Sequence, residues 1–359
     1  MNAMKVREDT KNTKELKLLL VGFGNVGQKV SQILFEERER FGNLKGLNVK
    51  VVGVMGRSKG SMANPDGLNM PELLKMLDVN GKFDPEHRDF CTLDSLEAAQ
   101  TLDYDVLVEL SSLSVAHKGE PAVSHIKAAM NRHRHVVTAN KGPEAFAFNE
   151  LDSLAKENGV LFLYETIVMD GAPIFNLAFK TMRGCKIKAL SGILNSTTNY
   201  ILSCMERGES FESAVLGAQK KGLAEADPSD DINGWDAAVK IAALANILMD
   251  AGITPQDMEV TGIAGVTPAK AQEIAASGKR LKMIASAWRD EQDKVCAKVA
   301  VEALPAGHLF ANVSGTGAAL RFETDLMAPV LMIQESPDLY DTAYGVISDI
   351  IEIWENINQ

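Results

Sequence analysis

Apolar positions along this chain fall into short unbroken runs, separated by stretches whose spacing is helical. Residues 16–21 read as a strand buried on both faces. A glycine-rich stretch follows at once, and Val30, Ile33 and Leu34 then recur at the spacing of an amphipathic helix. Further strands are predicted at 49–55, 106–110, 135–138 and 161–164, with a helix near 121–130. Such alternation describes an α/β domain with a parallel sheet. Between residues 64 and 86 the Pro, Gly and Asp content predicts an irregular excursion.

Past residue 165 the pattern changes. A Gly- and Pro-containing turn occupies 165–173, and the domain change is placed there. Beyond it strands are predicted at 187–194, 295–301 and 326–333, a helix from Tyr200, another from Asp236, and a closing amphipathic helix at 342–354. The polar, Lys-rich opening, 1–16, reads as a disordered tail.

Composition narrows the function classes. A chain of 359 residues exceeds what one core usually serves, so two domains are expected. With 46% hydrophobic and 24% charged residues it reads as soluble and globular. A formal net charge of −11 argues against a nucleic-acid or anionic-membrane partner and points to a small-molecule ligand. No apolar run is long enough to span a bilayer and no signal-peptide core is present, so a cytoplasmic protein is expected. Neither the four cysteines nor the six histidines show metal-ligand spacing.

The candidate chemistry starts at Gly22-Phe23-Gly24-Asn25-Val26-Gly27, set between the first strand and the first helix. This is a dinucleotide-binding fingerprint: Gly22 allows the tight turn, Gly24 admits pyrophosphate, Gly27 lets helix and strand pack, and Asn25 and Val26 open the anion-binding helix end. At the end of the second strand stand Arg57 and Lys59, with no acid to hold free ribose hydroxyls. The pair favours NADP over NAD. Lys141 lies just past the strand at 135–138, where ligands bind in open parallel sheets. Residues 195–199, with Thr197 among them, are a run of small polar donors that can cap a helix or hold a polar ligand.

A loop rich in acids, including Glu225 and Asp231, then leads into a helix on which Asp236 and Lys240 share a face. Lys240 falls at the edge of the apolar stripe formed by Ala237, Ile241, Leu244 and Leu248. That placement describes a half-desolvated lysine beside carboxylates, able to move a proton; the alternative is an ordinary acidic loop with one surface ion pair.

The glycine fingerprint, the turn at 138–143, the stretch 194–202 and the stretch 222–228 occur in the order in which they stand in homoserine dehydrogenases, and between residues 18 and 247 the chain resembles that family. The resemblance implies a Rossmann-type nucleotide-binding domain at 17–165, completed by 321–359, and an α+β substrate-binding and dimerisation domain at 166–320. It also implies a homodimer that interconverts L-homoserine and L-aspartate 4-semialdehyde with NAD(P), a step of threonine and methionine biosynthesis. By position it makes Lys240 the proton donor and acceptor and Lys141 the lysine near nicotinamide and substrate. Glu225, Asp231 and Asp236 become substrate-side acids, and the turn at Glu165, Val168 and Asp170 offers backbone carbonyls to a sodium-like ion. Three departures stand out: Leu223 replaces a common Tyr, Ser196 a common Gly, and 335–341 a glycine-rich run. They leave open a dehydrogenase for a related small hydroxy or oxo acid, and a nucleotide-binding protein without catalysis.

Overall fold

The computed structural model describes residues 15–358. Most of the expected tail, 1–14, lies outside them, but Leu16 opens the first strand with its side chain fully buried. The first sheet comprises β1 (Leu16–Val21), β2 (Val49–Gly56), β3 (Gly60–Ala63), β4 (Phe90–Cys91), β5 (Val106–Glu109), β6 (His135–Thr138) and β7 (Phe162–Leu163). Their spatial order is β4-β3-β2-β1-β5-β6-β7, all parallel except β3, which runs antiparallel to its neighbours β2 and β4. Along β1 the side chains of Leu16, Leu18 and Leu20 enter one core while Leu19 and Val21 enter another. This explains the unbroken apolar run: both faces of the central strand are covered.

From β1 the chain steps outward to β2, then returns across to β5, so strand order reverses between β1 and β5. A crevice opens at the carboxyl ends of strands at such a reversal. The first helix, Asn25–Glu36, begins there.

The second sheet comprises β8 (Ile187–Ile193), β9 (Glu259–Val260), β10 (Lys279–Arg289), β11 (Val295–Pro305), β12 (Ala318–Thr324) and β13 (Val330–Gln334), in the order β13-β12-β8-β10-β11-β9. Helices Ser196–Glu206, Trp235–Met249 and Pro268–Ala276 pack against it. Helix Trp235–Met249 also rests on the short helix Gly142–Phe146 from the first domain. Across that contact Asn246 Nδ2 donates to the Glu144 carbonyl at 3.1 Å, and on its own side to that of Ile253 at 2.9 Å.

Several expectations need correction. The excursion at 64–86 contains a helix, Met70–Asn80, capped by Asn69 and anchored by buried Leu73 and Leu77. Strands β10 and β12 lie where none was expected, and the strand expected at 326–333 starts at Val330 because Leu326, 71% exposed, belongs to a turn. The helix expected from Tyr200 starts at Ser196. Because β12 and β13 belong to the second sheet, the chain does not return to the first domain at residue 321. It returns through the closing helix, Leu339–Ile357, which packs on the first helix. Within the first domain's core this helix buries Val346, Ile347, Ile350 and Ile353.

Trp354 is 7% exposed, and its Nε1 donates to the Lys45 carbonyl at 3.0 Å. Trp354→Ala is expected to remove ~3–5 kcal/mol from the first domain, read as a lowered thermal midpoint. An unchanged melt would show that the closing helix is not part of that core.

Candidate active site

Three glycines shape the turn at the sheet's crevice. Gly22 has φ +94°, and a Cβ there would lie 2.5 Å from the Leu110 carbonyl. A side chain at Gly27 would meet the Gly22 carbonyl at 2.6 Å. Around Gly24, by contrast, there is open space, and the residue is exposed. The first helical bond runs from Gln28 N to Gly24 O, which leaves the N–H groups of Asn25, Val26 and Gly27 without partners among the described residues. No side chain caps this helix end and its first turn carries no acid. Free donors, a helix dipole and an open approach fit a bound pyrophosphate. Beside it the β2–β3 hairpin carries exposed Arg57 and half-buried Lys59.

The charged centre lies where the two domains meet. Past β6, Thr138 Oγ1 accepts from Asn140 N and Asn140 Oδ1 from Gly142 N, so two turns in succession fix the backbone around Lys141. Its Nζ pairs with Asp236 Oδ1 at 2.6 Å, and Lys240 Nζ pairs with Asp236 Oδ2 at 2.9 Å. Lys240 also donates to the Leu194 carbonyl at 2.8 Å. An ammonium has three donors, so one remains on Lys240. Burial pushes the Asp236 carboxyl up, but the two neighbouring ammonium groups outweigh it and hold the group well below the usual carboxylate range. Burial lowers Lys240, yet Asp236 and Asp170 raise it further, and the net shift is upward.

Asn195 joins this centre although no individual role was expected of it. Its Nδ2 donates to Asp231 Oδ1 at 2.6 Å and Asp236 Oδ2 at 2.8 Å, while its Oδ1 caps the Ser196–Glu206 helix at Thr198 N. The available signal was an asparagine at an N-cap position, which reads as capping and nothing more. Asp231, half-buried, has its carboxyl pushed up by burial and by Asp236. Glu225 is not drawn in: its side chain is exposed, and its backbone carbonyl accepts from Gln219. Thr197 uses its hydroxyl to hold the Leu223 carbonyl at 2.7 Å, so it anchors the acidic loop. The N–H groups of Ser196 and Thr197 have no partner among the described residues.

The turn after β7 is tightly held. Met169 and Asp170 adopt left-handed backbone at φ 55° and 51°. Thr342 Oγ1 donates to Asp170 Oδ1 at 2.7 Å, Thr166 Oγ1 donates to the Thr342 carbonyl, and a Cβ on Gly171 would lie 2.4 Å from the Asp341 carbonyl. Glu165 spends its carboxylate on Phe175 N and Asn176 N, capping the next helix. The carbonyl oxygens of Val168 and Asp170 accept no hydrogen bond among the described residues. Those lone pairs suit a hard monovalent cation, whereas no cluster of His, Cys, Asp and Glu among these residues suits a transition metal.

Residues 22–165 match the family model for the homoserine dehydrogenase NAD binding domain, and residues 173–351 match that for homoserine dehydrogenase. The NAD(+)-dependent homoserine dehydrogenase of Pseudomonas canavaninivorans is 35% identical over 95% of this chain and 97% of its own length. The homoserine dehydrogenase of Methanocaldococcus jannaschii is 34% identical over 95% of this chain and 99% of its own length. The crystal structure of homoserine dehydrogenase from Thermoplasma acidophilum superposes with a TM-score of 0.81 at 27% identity, over 95% of this chain and 100% of that one. A hyperthermophilic archaeal homoserine dehydrogenase in complex with NADPH gives 0.80 at 26%, over 96% and 98%. Sequence, architecture and crevice chemistry agree: the chain belongs to the homoserine dehydrogenase family of NAD(P)-dependent oxidoreductases.

Proposed function

We propose that the crevice interconverts L-homoserine and L-aspartate 4-semialdehyde, with NADP(H) favoured over NAD(H) and Lys240 as proton donor and acceptor. The observation that carries this reading is the pairing of Lys141 and Lys240 on the two oxygens of one buried aspartate. When bound, the nicotinamide supplies a hydride to the aldehyde carbon or accepts one from the alcohol. Negative charge then develops on the carbonyl oxygen, and the free donor of Lys240 stabilises and protonates it. Lys141, anchored to the same carboxylate, adds positive potential from the opposite domain. Asp236 is thus a holder of lysines, with both oxygens engaged.

Asp231 has one oxygen outside the Asn195 bond and suits the substrate's ammonium. The open N–H groups of Ser196 and Thr197 suit its carboxylate. Glu225 sits on the adjoining loop and reaches the substrate if that loop closes. Val168 and Asp170 carbonyls, with that of Glu165, suit a sodium-like ion that stiffens the turn under the closing helix. Arg57 and Lys59 suit a 2′-phosphate. A homodimer through the second sheet is part of the proposal. The sheet face carrying Ser191, Ser286, Lys298 and Arg321 lies opposite the helices, these residues are half-buried, and Ile333 is 48% exposed on β13. No helix of the described residues is long and apolar enough to cross a membrane. Leu223, half-buried and apolar, favours a second reading in which a related hydroxy acid is the substrate; turnover of such an acid without homoserine oxidation would select it.

Lys240→Met is expected to lower coenzyme oxidation with aspartate 4-semialdehyde by roughly 10²–10⁴-fold, with NADPH binding unchanged in a fluorescence titration. Near-normal turnover would remove Lys240 from its role. A lysine whose pKa is raised keeps its proton below that pKa and loses it as pH climbs through it. Asp236→Asn removes the main raising charge while leaving burial, so the alkaline limb of the reductive kcat profile is expected to move to lower pH. A stationary limb would show that Asp236 does not set the lysine. Arg57→Ala is expected to raise the KM for NADPH roughly tenfold and leave that for NADH unchanged; equal effects on both coenzymes would take Arg57 away from the 2′-phosphate.

A further inference from the structure

Lys29 stands four residues after Asn25 on the first helix, so it lies on the same side as that exposed helix end. Asn25 is ~6 Å along the axis, within the span of a lysine's four-carbon stem. Among the described residues Lys29 forms no ion pair. Its ammonium lies 4.1 Å from the centre of the Tyr340 ring, and Nζ donates to Gln32 Oε1 at 2.8 Å. A lysine with an aromatic face and a neutral amide as its partners is held in place without being neutralised.

Tyr340 belongs to the first turn of the closing helix. Its position follows from the cap of that helix. Asp338 accepts from Tyr340 N at 2.7 Å, and Asp341 accepts from Asp338 N at 2.8 Å. Both carboxylates are therefore engaged with their own helix end. The closing helix is fixed in turn by Gly171 and Asp170, so the ring, 52% exposed, stands at a defined place beside the first helix.

We propose that Lys29 is a binding residue for the pyrophosphate of the dinucleotide, kept beside the glycine turn by the face of Tyr340. The proposal rests on the reading that this turn holds NAD(P). Without coenzyme the ammonium rests on the ring; with coenzyme it exchanges that weak contact for a phosphate oxygen, a stronger charge-assisted partner.

The test is a fluorescence titration of the full chain with NADPH and NADH, with thermal melting as the control for folding. Lys29→Met is expected to weaken both coenzymes alike, roughly tenfold, because both carry the pyrophosphate, while kcat at saturating coenzyme stays within about twofold. Lys29→Arg should restore most of the affinity. Tyr340→Phe keeps the ring and should bind like wild type, whereas Tyr340→Ala should weaken both coenzymes by less than Lys29→Met does. Unchanged affinity in Lys29→Met, or a loss confined to NADPH, overturns the proposal. Wild-type protein that binds neither coenzyme would sink the underlying reading and this proposal together. Intact wild-type binding with an unaltered Lys29→Met value sinks this proposal alone.

Discussion

Two ammonium groups from different domains close on one carboxylate, and the crevice is built outward from that junction. Lys141 is carried by the end of β6, while Asp236 and Lys240 ride a helix of the second domain. Burying any one of these charges alone costs several kcal/mol, so each depends on the others staying in place. Two cations around one anion leave positive potential facing the crevice. Asp231, tied to the same asparagine, sits close enough to balance part of it. A site that must receive a zwitterion and stabilise a developing alkoxide needs this uneven distribution, with an acid toward the ammonium and spare positive charge toward the oxygen.

Helix packing sets the distances. The Gly142–Phe146 and Trp235–Met249 helices touch directly, and the bond from buried Asn246 to the Glu144 carbonyl joins them. The spacing of Lys141 and Lys240 therefore depends on rigid elements more than on loops, as a preorganised site requires. A second brace comes from the closing helix. Thr342 and the carbonyl of Asp341 pin the strained turn at Met169 and Asp170, whose left-handed backbone persists only under such constraint. Because Asp170 also raises Lys240, this distant helix bears on the lysine's charge.

The glycine fingerprint, the parallel strands and the pairing of Asp236 with Lys240 were legible in the sequence because each rests on local spacing. Contacts that join distant segments were not. Nothing local announces that Lys141 shares the carboxylate of Asp236, or that Asn195 bridges two acids 36 and 41 residues away. Strand β10 was hidden for a different reason. Lys282 interrupts its apolar pattern, yet it is 2% exposed and donates to Asn199 Oδ1 and the Val313 carbonyl, with burial pushing its pKa down to about 8. A buried lysine reads as a solvent-facing one when its partners are not in view. The helix at Met70–Asn80 was masked by the Pro, Gly and Asp residues of the segment, of which Pro71 sits in its first turn and Gly81 ends it.

Lys240 poses a last question of chemistry. A proton donor works best when its pKa lies near the working pH, yet the neighbouring acids raise this lysine above its ordinary value. The geometry contains its own remedy. Asp231 is the least of the groups that raise Lys240, and in the proposed reaction it is also the acid that takes the substrate's ammonium. Once that ammonium is seated, the field of Asp231 is largely cancelled and Lys240 releases its proton more readily. On the proposed reaction the lysine would hold its proton in the ion cluster and give it up more readily once the substrate's ammonium faces Asp231. In the proposed reaction the acid that takes the substrate's ammonium also adjusts the lysine, and Asn195 ties that acid to Asp236, the lysine's own partner.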